Sequence, residues 1–216
     1  MTTYQEDISI ICQALQSINT SWDGKKAILE LKDLDYQWRQ MEWIGWYFEV
    51  LCKSKLNEKG FEIPGKKYGN VEFDSFKSIN WDMKASAVKS HSHRAILNDC
   101  QAIDQSIDEF GSHGIIMALL DVEYNDDNRS FQRWHSELKG GLSKFEKDRI
   151  KRNAISRYRK TCAELNEILV ICIDANNVSK LNIHKQGRNS DGSPRKPKYE
   201  IDIEHAHGFE VGRISF

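Results

Sequence analysis

Residues 70–86 read NVEFDSFKSINWDMKAS, and this stretch decides the fold. Apolar and polar residues alternate along it, a period typical of strands with one buried face. The pattern predicts two short strands, at about 70–77 and 79–88, joined into a hairpin. The hairpin would bring Asp74 of the first strand close to the charged residues of the second.

The second strand carries charge on one face and apolar side chains on the other. Asp82 and Lys84 are two positions apart and point to the same face, whereas Trp81 and Met83 point to the opposite face. A carboxylate and an ammonium on a half-buried strand are costly unless they bind something. The alternative is a surface hairpin with an Asp82–Lys84 ion pair worth about 0–1 kcal/mol, and the apolar residues of both strands argue against it.

The elements on either side of the hairpin alternate between helical and strand patterns. Predicted helices cover 6–19, 23–34, 36–56, 95–110 and 142–165. Predicted strands cover 114–120, 167–173, 178–184 and 199–203. The first two of these strands are continuous apolar runs, typical of central strands covered on both faces, and the last two predict a hairpin or edge strands. The order predicts an α/β fold with a mixed central sheet flanked by helices.

Length and composition bound the class of protein. The chain has 216 residues, which predicts one domain with its core at about 36–175, an N-terminal helical region at 1–35 and a C-terminal hairpin and loop at 176–216. No apolar run approaches the roughly 20 residues that span a bilayer, and the start lacks the pattern of a secretory signal. Five widely spaced cysteines without a Cys-x-x-Cys pair predict reduced thiols in a cytoplasmic protein.

Positive charge is concentrated in two segments, although the net charge of the chain is −1. Residues 139–160 hold nine Lys or Arg against two acids, a balance of +7, and residues 185–198 hold five against one, a balance of +4. Such clusters indicate either a phosphate-facing surface or a solvated helix face and a polar loop. The candidate DNA-contacting residues are Arg149, Lys151, Arg152, Arg157, Arg159 and Lys160 on or beside the predicted basic helix, and Lys185, Arg188, Asn189, Arg195, Lys196 and Lys198 in the loop. Arg and Lys side chains of such a loop can recognise guanine in a DNA groove, and Asn side chains can recognise adenine.

The hairpin motif and the element order resemble the αβββαβ core of PD-(D/E)xK nucleases, the fold of most type II restriction endonucleases. The motif of that family is an Asp at the end of one strand and a carboxylate-x-Lys on the next. Asp74 takes the first position here and Asp82-Met83-Lys84 the second, and the resemblance covers roughly 36–175. The chain departs from the family pattern in having no Pro before Asp74 and a short spacing between the two Asp residues. Glu72 lies on the same predicted strand face as Asp74 and is the alternative candidate for the first carboxylate of the motif.

Many such nucleases also place a glutamate on the helix before the first strand. The segment Gly45-Trp46-Tyr47-Phe48-Glu49, followed by Gly60-Phe61, is similar to the Gly-x-x-x-Glu helix and Gly-Phe turn of these proteins. Glu49 is the first candidate for this helix glutamate. Glu42, seven residues earlier on the same helical face, is the second candidate.

The resemblance implies a sequence-specific double-stranded DNA endonuclease of the type II restriction class, which uses one or two Mg²⁺ ions. Asp74, Asp82 and Glu49 would hold the metal through oxygen, and Lys84 would contact the phosphate and the attacking water. Enzymes of this class commonly act as homodimers, so that two sites cut two strands. A repair or junction-resolving nuclease of the same fold and a non-catalytic DNA-binding module are the alternatives.

The histidines give weaker signals. His91 and His93 follow Lys84 closely enough to contact the phosphate or a neighbouring base. They form one pair on a strand face and His205 and His207 form another, but neither pair has an evident third metal ligand. The chain contains no Gly-x-x-x-x-Gly-Lys-Ser/Thr loop and no Gly-x-Gly-x-x-Gly turn, so we expect no nucleotide cofactor.

Overall fold

A computed structural model describes residues 4–64, 73–88, 93–124, 126–189 and 191–216 of the chain. The α-helices are α1 (Gln5–Leu15), α2 (Gly24–Asp33), α3 (Trp43–Asn57), α4 (Cys100–Phe110), α5 (Ser130–Leu138) and α6 (Lys144–Lys151). The strands are β1 (Ser21–Asp23), β2 (Ser75–Phe76), β3 (Asn80–Ala87), β4 (Arg94–Asp99), β5 (Ser112–Glu123), β6 (Cys162–Asp174), β7 (Asn182–His184), β8 (Lys198–Asp202) and β9 (Glu210–Ser215). None of the helices in these ranges has the length and apolar character of a membrane span.

The main sheet contains six of the described strands in a mixed arrangement. Its order is β1-β6-β5-β3-β2. The sixth strand, β9, pairs with β6, the long strand that also pairs with β1. Strands β3 and β5 are parallel and are joined through α4, while the other pairings are antiparallel. The predicted mixed central sheet with flanking helices is therefore confirmed.

Both faces of the main sheet are buried, as the apolar runs of β5 and β6 predict. Ile116 and Val170 are paired across the two strands and lie in the core formed with α1, α2 and α3. Ile115 and Ile171, one position away on each strand, lie in a second core on the opposite face. The second core is closed by α4 and by a small antiparallel sheet of order β4-β8-β7. The predicted hairpin near the C-terminus is confirmed as β7 and β8.

The predicted hairpin at the motif is also confirmed, although its first strand is short. Ser75 pairs with Trp81 and Phe76 with Asn80. Trp81 is fully buried, and its indole lies against β5 at Gly114, where an added Cβ would come within 2.2 Å of the ring. Glycine at this position lets the two parallel strands pair around the indole.

Two predicted helices begin later in the chain than expected. The helix predicted at 36–56 begins only at Trp43, because Asp35 and Gln37 have positive φ in the preceding turns. The helix predicted from residue 95 begins at Cys100, because residues 94–99 form β4 with alternating burial.

The long basic helix predicted at 142–165 is not present. Its first part forms α6, which ends at Lys151, and Asn153 follows with a positive φ. The chain then runs without regular structure to Thr161, and β6 begins at Cys162, where Ala163 and Leu165 are buried alternately with exposed neighbours. Pairing of Ala163 and Leu165 with β5 overrides the local helical composition of the segment. A further helix, α5, was not predicted.

The turn between β2 and β3 is fixed by a buried carboxylate from α1. Asp7 is fully buried and accepts hydrogen bonds from the Ser78 amide at 3.0 Å, the Ser78 hydroxyl at 2.9 Å and the Trp81 indole at 3.0 Å. These three contacts hold the hairpin that carries Asp74 and Asp82 against the helical layer.

Replacing Asp7 by alanine is expected to lower the free energy of unfolding by about 3 kcal/mol or more, because three donors lose their acceptor in a buried site. The measurement is urea unfolding followed by circular dichroism. Glu6→Ala, on the exposed side of the same helical turn, is the matched control. A loss no larger than that of the control would contradict the anchoring role of Asp7.

His135 of α5 is a second buried polar contact with a measurable consequence. Its Nε2 lies 2.8 Å from the Trp38 carbonyl oxygen, and burial lowers the pKa of the ring from 6.5 to about 4. The unfolded chain therefore takes up a proton at higher pH than the folded one. The free energy of unfolding is expected to fall by up to about 3 kcal/mol through this group as pH drops from about 6.5 to about 4.

The check is the difference in unfolding free energy between pH 7 and pH 4 in the wild type and in His135→Gln. Carboxylates titrate equally in both proteins, so the His135 contribution is the difference between the two pH dependences. Identical pH dependences would show that His135 does not contribute.

Candidate active site

A cleft of about 850 Å³ opens between α3, β3 and the junction of β4 with α4. The predicted site residues that line it are Glu42, Glu49, Asp74, Asp82, Lys84, Lys160, Lys196 and Lys198. Residues that lie far apart in the sequence therefore meet at one concavity. Concave sites with convergent polar groups are the usual location of ligand binding and catalysis.

Strand alternation places Asp82 and Lys84 in the cleft. The two residues pair with Ile115 and Met117 of the parallel strand β5 and share their face, on the side of α4 and the small sheet. Met83 faces the helical core instead. The placement on one face that the sequence predicts for Asp82 and Lys84 is the one observed.

Asp82 is almost fully buried and surrounded by groups that stabilise its charge. Its Oδ2 lies 2.8 Å from Nε2 of His113 and accepts a hydrogen bond from the Asn98 side-chain amide of β4. Its Oδ1 lies 3.7 Å from the Lys84 ammonium. Burial alone would raise the pKa of Asp82, but Lys84, His113 and Asn98 outweigh it and hold that pKa well below its usual range. Asp82 is therefore ionised at neutral pH.

Asp74 precedes β2 and is held by the neighbouring strand. Its Oδ2 accepts a hydrogen bond of 2.8 Å from the Met83 amide. Burial, with the negative charges of Asp82 and Glu49, raises the pKa of Asp74 to about 7, although Lys84 and the Met83 amide oppose the shift. Two neighbouring Asp residues with opposite pKa shifts are typical of functional sites.

Glu49 projects from α3 into a buried network on the opposite wall. Its Oε1 accepts a hydrogen bond from the Tyr36 hydroxyl and lies 2.5 Å from the ammonium of Lys53, one turn along the helix. The Lys53 ammonium also lies 3.0 Å from the Tyr36 hydroxyl and 3.9 Å from Oδ1 of Asp74. Burial and the adjacent Glu49 charge raise the pKa of Tyr36 far above its usual range, so the phenol remains a hydrogen-bond donor.

Glu42 lies immediately before α3, at its N-cap position, and not within the helix as predicted. Its Oε2 is 2.7 Å from the Lys160 ammonium, and its side chain is more than half exposed at the rim of the cleft. Glu42 is thus a rim residue, whereas Glu49 lies deep in the cleft wall.

The basic residues predicted to contact DNA divide into two groups. Lys160, Lys196 and Lys198 line the cleft. The Lys196 ammonium donates a hydrogen bond of 3.1 Å to the Gln101 side chain, and the Lys198 ammonium lies 3.6 Å from the Asp99 carboxylate. The others do not line the cleft: Lys151, Arg152, Arg157, Arg159, Lys185, Arg188, Asn189, Arg195 and Arg149.

Several members of the second group are occupied by local contacts. Arg149 pairs with Glu146 at 3.0 Å, Arg152 bonds to the Asp148 carbonyl at 3.2 Å, and Arg188 bonds to the Gly192 carbonyl at 2.7 Å. These contacts stabilise α6 and the loop itself. DNA contact by either group stays a prediction.

The remaining predicted site residues lie away from the cleft or outside the described residues. His93 pairs with Glu204 at 3.1 Å and does not line the cleft. Glu72 and His91 fall outside the described ranges.

The donors of the cleft suit a hard divalent cation in kind. Glu49, Asp74 and Asp82 offer carboxylate oxygens, which Mg²⁺ prefers, and burial together with the negative charges of Asp82 and Glu49 raises the pKa of Asp74, which a bound cation would lower. In the described part of the chain, however, no group of three Asp, Glu, His or Cys side chains is arranged to hold a metal ion. Each of the three carboxylates instead contacts donor groups of the protein.

Sequence reasoning missed three residues that contact the carboxylates of the cleft. His113 stands at the start of the apolar run of β5, opposite Asn80, and Asn98 lies near the end of β4, in a segment predicted as helix. Only Lys53 carried a usable signal, its spacing of four from Glu49 on a predicted helix.

Comparison with protein-family models, with curated proteins and with solved structures finds no match to this chain. The geometry of the cleft is therefore the feature of the molecule that indicates a function.

Proposed function

We propose that the protein is a Mg²⁺-dependent endonuclease that hydrolyses phosphodiester bonds of double-stranded DNA, with the core and motif of the PD-(D/E)xK class. The observation that carries the proposal is the convergence of Glu49, Asp74, Asp82 and Lys84 in one cleft. Carboxylates that hold a metal ion, with a lysine beside them to contact the phosphate, can supply metal-dependent phosphodiester hydrolysis.

The element order supports the proposal. Helix α3 is followed by Glu62, which pairs with Phe76 in an antiparallel bridge, and then by β2, β3, β4, α4 and β5. This succession is compatible with the αβββαβ order if the bridge at Glu62 counts as the first strand and β4, which belongs to the small sheet, counts as an insertion. This assignment differs from the one expected from the sequence. There the predicted strands at 114–120 and 167–173, which are β5 and β6 in the structure, stand as the third and fourth strands of the αβββαβ core.

Each group of the cleft has a chemical role in the proposal. Asp82, Asp74 and Glu49 would hold one or two Mg²⁺ ions, which stabilise charge on the phosphate and activate water when bound. His113 and Asn98 keep Asp82 ionised and oriented. Lys84, on the same strand face, neutralises phosphate charge and orients the attacking water.

The rim supports a polyanionic substrate. The ammonium groups of Lys160, Lys196 and Lys198 line the opening and would contact phosphates, which position DNA without reading its sequence. We propose further that the enzyme is of the type II restriction class and acts as a homodimer, so that two clefts address the two strands of one site.

The test is incubation of the purified protein with plasmid DNA and Mg²⁺. Discrete fragments would support restriction, and cutting confined to branched or damaged substrates would indicate a repair or junction-resolving nuclease. The absence of cutting with Mg²⁺, Mn²⁺ and other divalent ions would refute the enzyme and leave a DNA-binding module, which a salt-dependent shift of the same DNA would reveal.

A further inference from the structure

Lys53 is a buried lysine that the proposed mechanism does not use. Its side chain is 10% exposed, whereas that of Lys84 on the opposite wall is 24% exposed. The Lys53 ammonium lies 2.5 Å from Glu49 and 3.9 Å from Asp74, and these two carboxylates are two of the three proposed metal ligands.

We propose that the Lys53 ammonium is an internal counter-ion that occupies the place of a divalent cation between Glu49 and Asp74, and that cation binding displaces it. The inference rests on the proposed function, because it assigns a role to a residue of the same metal-binding cleft. It makes Lys53 a positioning residue of the cation-free protein.

The charges of the cleft explain why such a counter-ion is needed. Glu49 is buried and the Asp74 side chain is only 17% exposed, and two such carboxylates without a cation between them repel each other and lose hydration. Lys53 supplies one positive charge to both. Its contact with the Tyr36 hydroxyl at 3.0 Å fixes the position of the ammonium.

The geometry also allows the ammonium to leave. Lys53 and Glu49 are one turn apart on α3, so a change of side-chain rotamer separates them without disturbing the helix. Lysine has a flexible four-carbon stem and a strongly hydrated head group, which the open cleft can accommodate in water. A divalent cation bound between Glu49 and Asp74 would strongly repel an ammonium that stayed in contact with the same carboxylates.

The alternative is a permanent structural ion pair. In that case Lys53 stays in contact with Glu49 when a cation enters, and the cation binds to the Asp residues alone. The two possibilities differ in the effect of Lys53 on cation affinity and in the fate of its ammonium.

The first experiment measures the affinity of the full chain for Mn²⁺ alone by isothermal titration calorimetry. Lys53→Met is expected to bind Mn²⁺ roughly tenfold more tightly or better, because a competing charge is removed. Lys55→Met, two residues along the same helix and outside the cleft lining, should bind like the wild type. Equal or weaker binding by Lys53→Met would overturn the proposal while leaving the metal site intact.

The second experiment uses the wild type, so it does not depend on the folding of a variant. The ¹⁵N-labelled Lys53 ammonium signal is assigned by its loss in Lys53→Arg and followed while Mg²⁺ is added. We expect the signal to disappear through exchange with water as the cation binds, and its persistence at saturating Mg²⁺ would overturn the proposal. Failure of the wild type to bind any divalent cation would refute both this inference and the proposed nuclease.

Discussion

Replacing Asp82 by asparagine is expected to reduce Mg²⁺-dependent DNA cleavage on the order of a thousandfold. The asparagine side chain keeps the shape of Asp82 but not its charge. It can still contact Asn98, and it occupies the same buried site beside His113. The variant should therefore fold and should still bind DNA at the lysines of the rim, while losing a carboxylate whose pKa is held well below its usual range.

The measurements are plasmid cleavage rate, Mn²⁺ affinity and the circular dichroism spectrum of the variant. Asp108→Asn is the matched control, since Asp108 is an exposed carboxylate of α4 outside the cleft lining. Cleavage by the Asp82 variant at a rate close to that of the control would refute the assignment of Asp82. Loss of structure would instead assign Asp82 to the stability of the fold.

The sequence predicted those parts of the cleft that depend on local periodicity. Asp82 and Lys84 are on one strand face because β-strand side chains alternate, and this holds whatever the strand packs against. The continuous apolar runs of β5 and β6 likewise indicate burial on both sides. These features need no knowledge of distant partners.

The basic segment shows where local reasoning ends. Residues 142–165 contain no proline or glycine after Leu142, so composition favours one helix throughout. The structure ends that helix before Asn153 and uses Ala163 and Leu165 as strand residues that pair with β5. The long-range pairing of β6 decides the outcome, and it is not encoded within the segment itself.

The partners of the site residues were also beyond local reasoning. His113 reaches Asp82 because β5 pairs in parallel with β3, and Asn98 reaches it because β4 joins the small sheet across the cleft. Both contacts depend on the register and packing of elements rather than on spacing in the chain. A buried histidine at the start of an apolar run gives no sign of which carboxylate it will meet.

Replacing Lys84 by methionine is expected to reduce cleavage by about a hundredfold or more while leaving DNA binding at the rim in place. Methionine preserves most of the apolar stem of Lys84 and removes the positive charge that neutralises the phosphate in the proposed mechanism. In the cation-free protein the Lys84 charge also lowers the pKa of both Asp74 and Asp82. The variant should therefore raise the pKa of Asp74 further above 7, because an opposing positive charge is removed.

Two measurements separate catalysis from folding in this variant. Cleavage assays report the catalytic loss, and carboxyl-carbon NMR of labelled aspartate follows the titration of Asp74 without added metal. Lys180→Met, an exposed lysine on the turn before β7, controls for the loss of one surface charge. An Asp74 pKa that rises while cleavage stays at the wild-type rate would place Lys84 in the electrostatics of the cleft but outside the reaction, and the nuclease assignment would then require a different lysine.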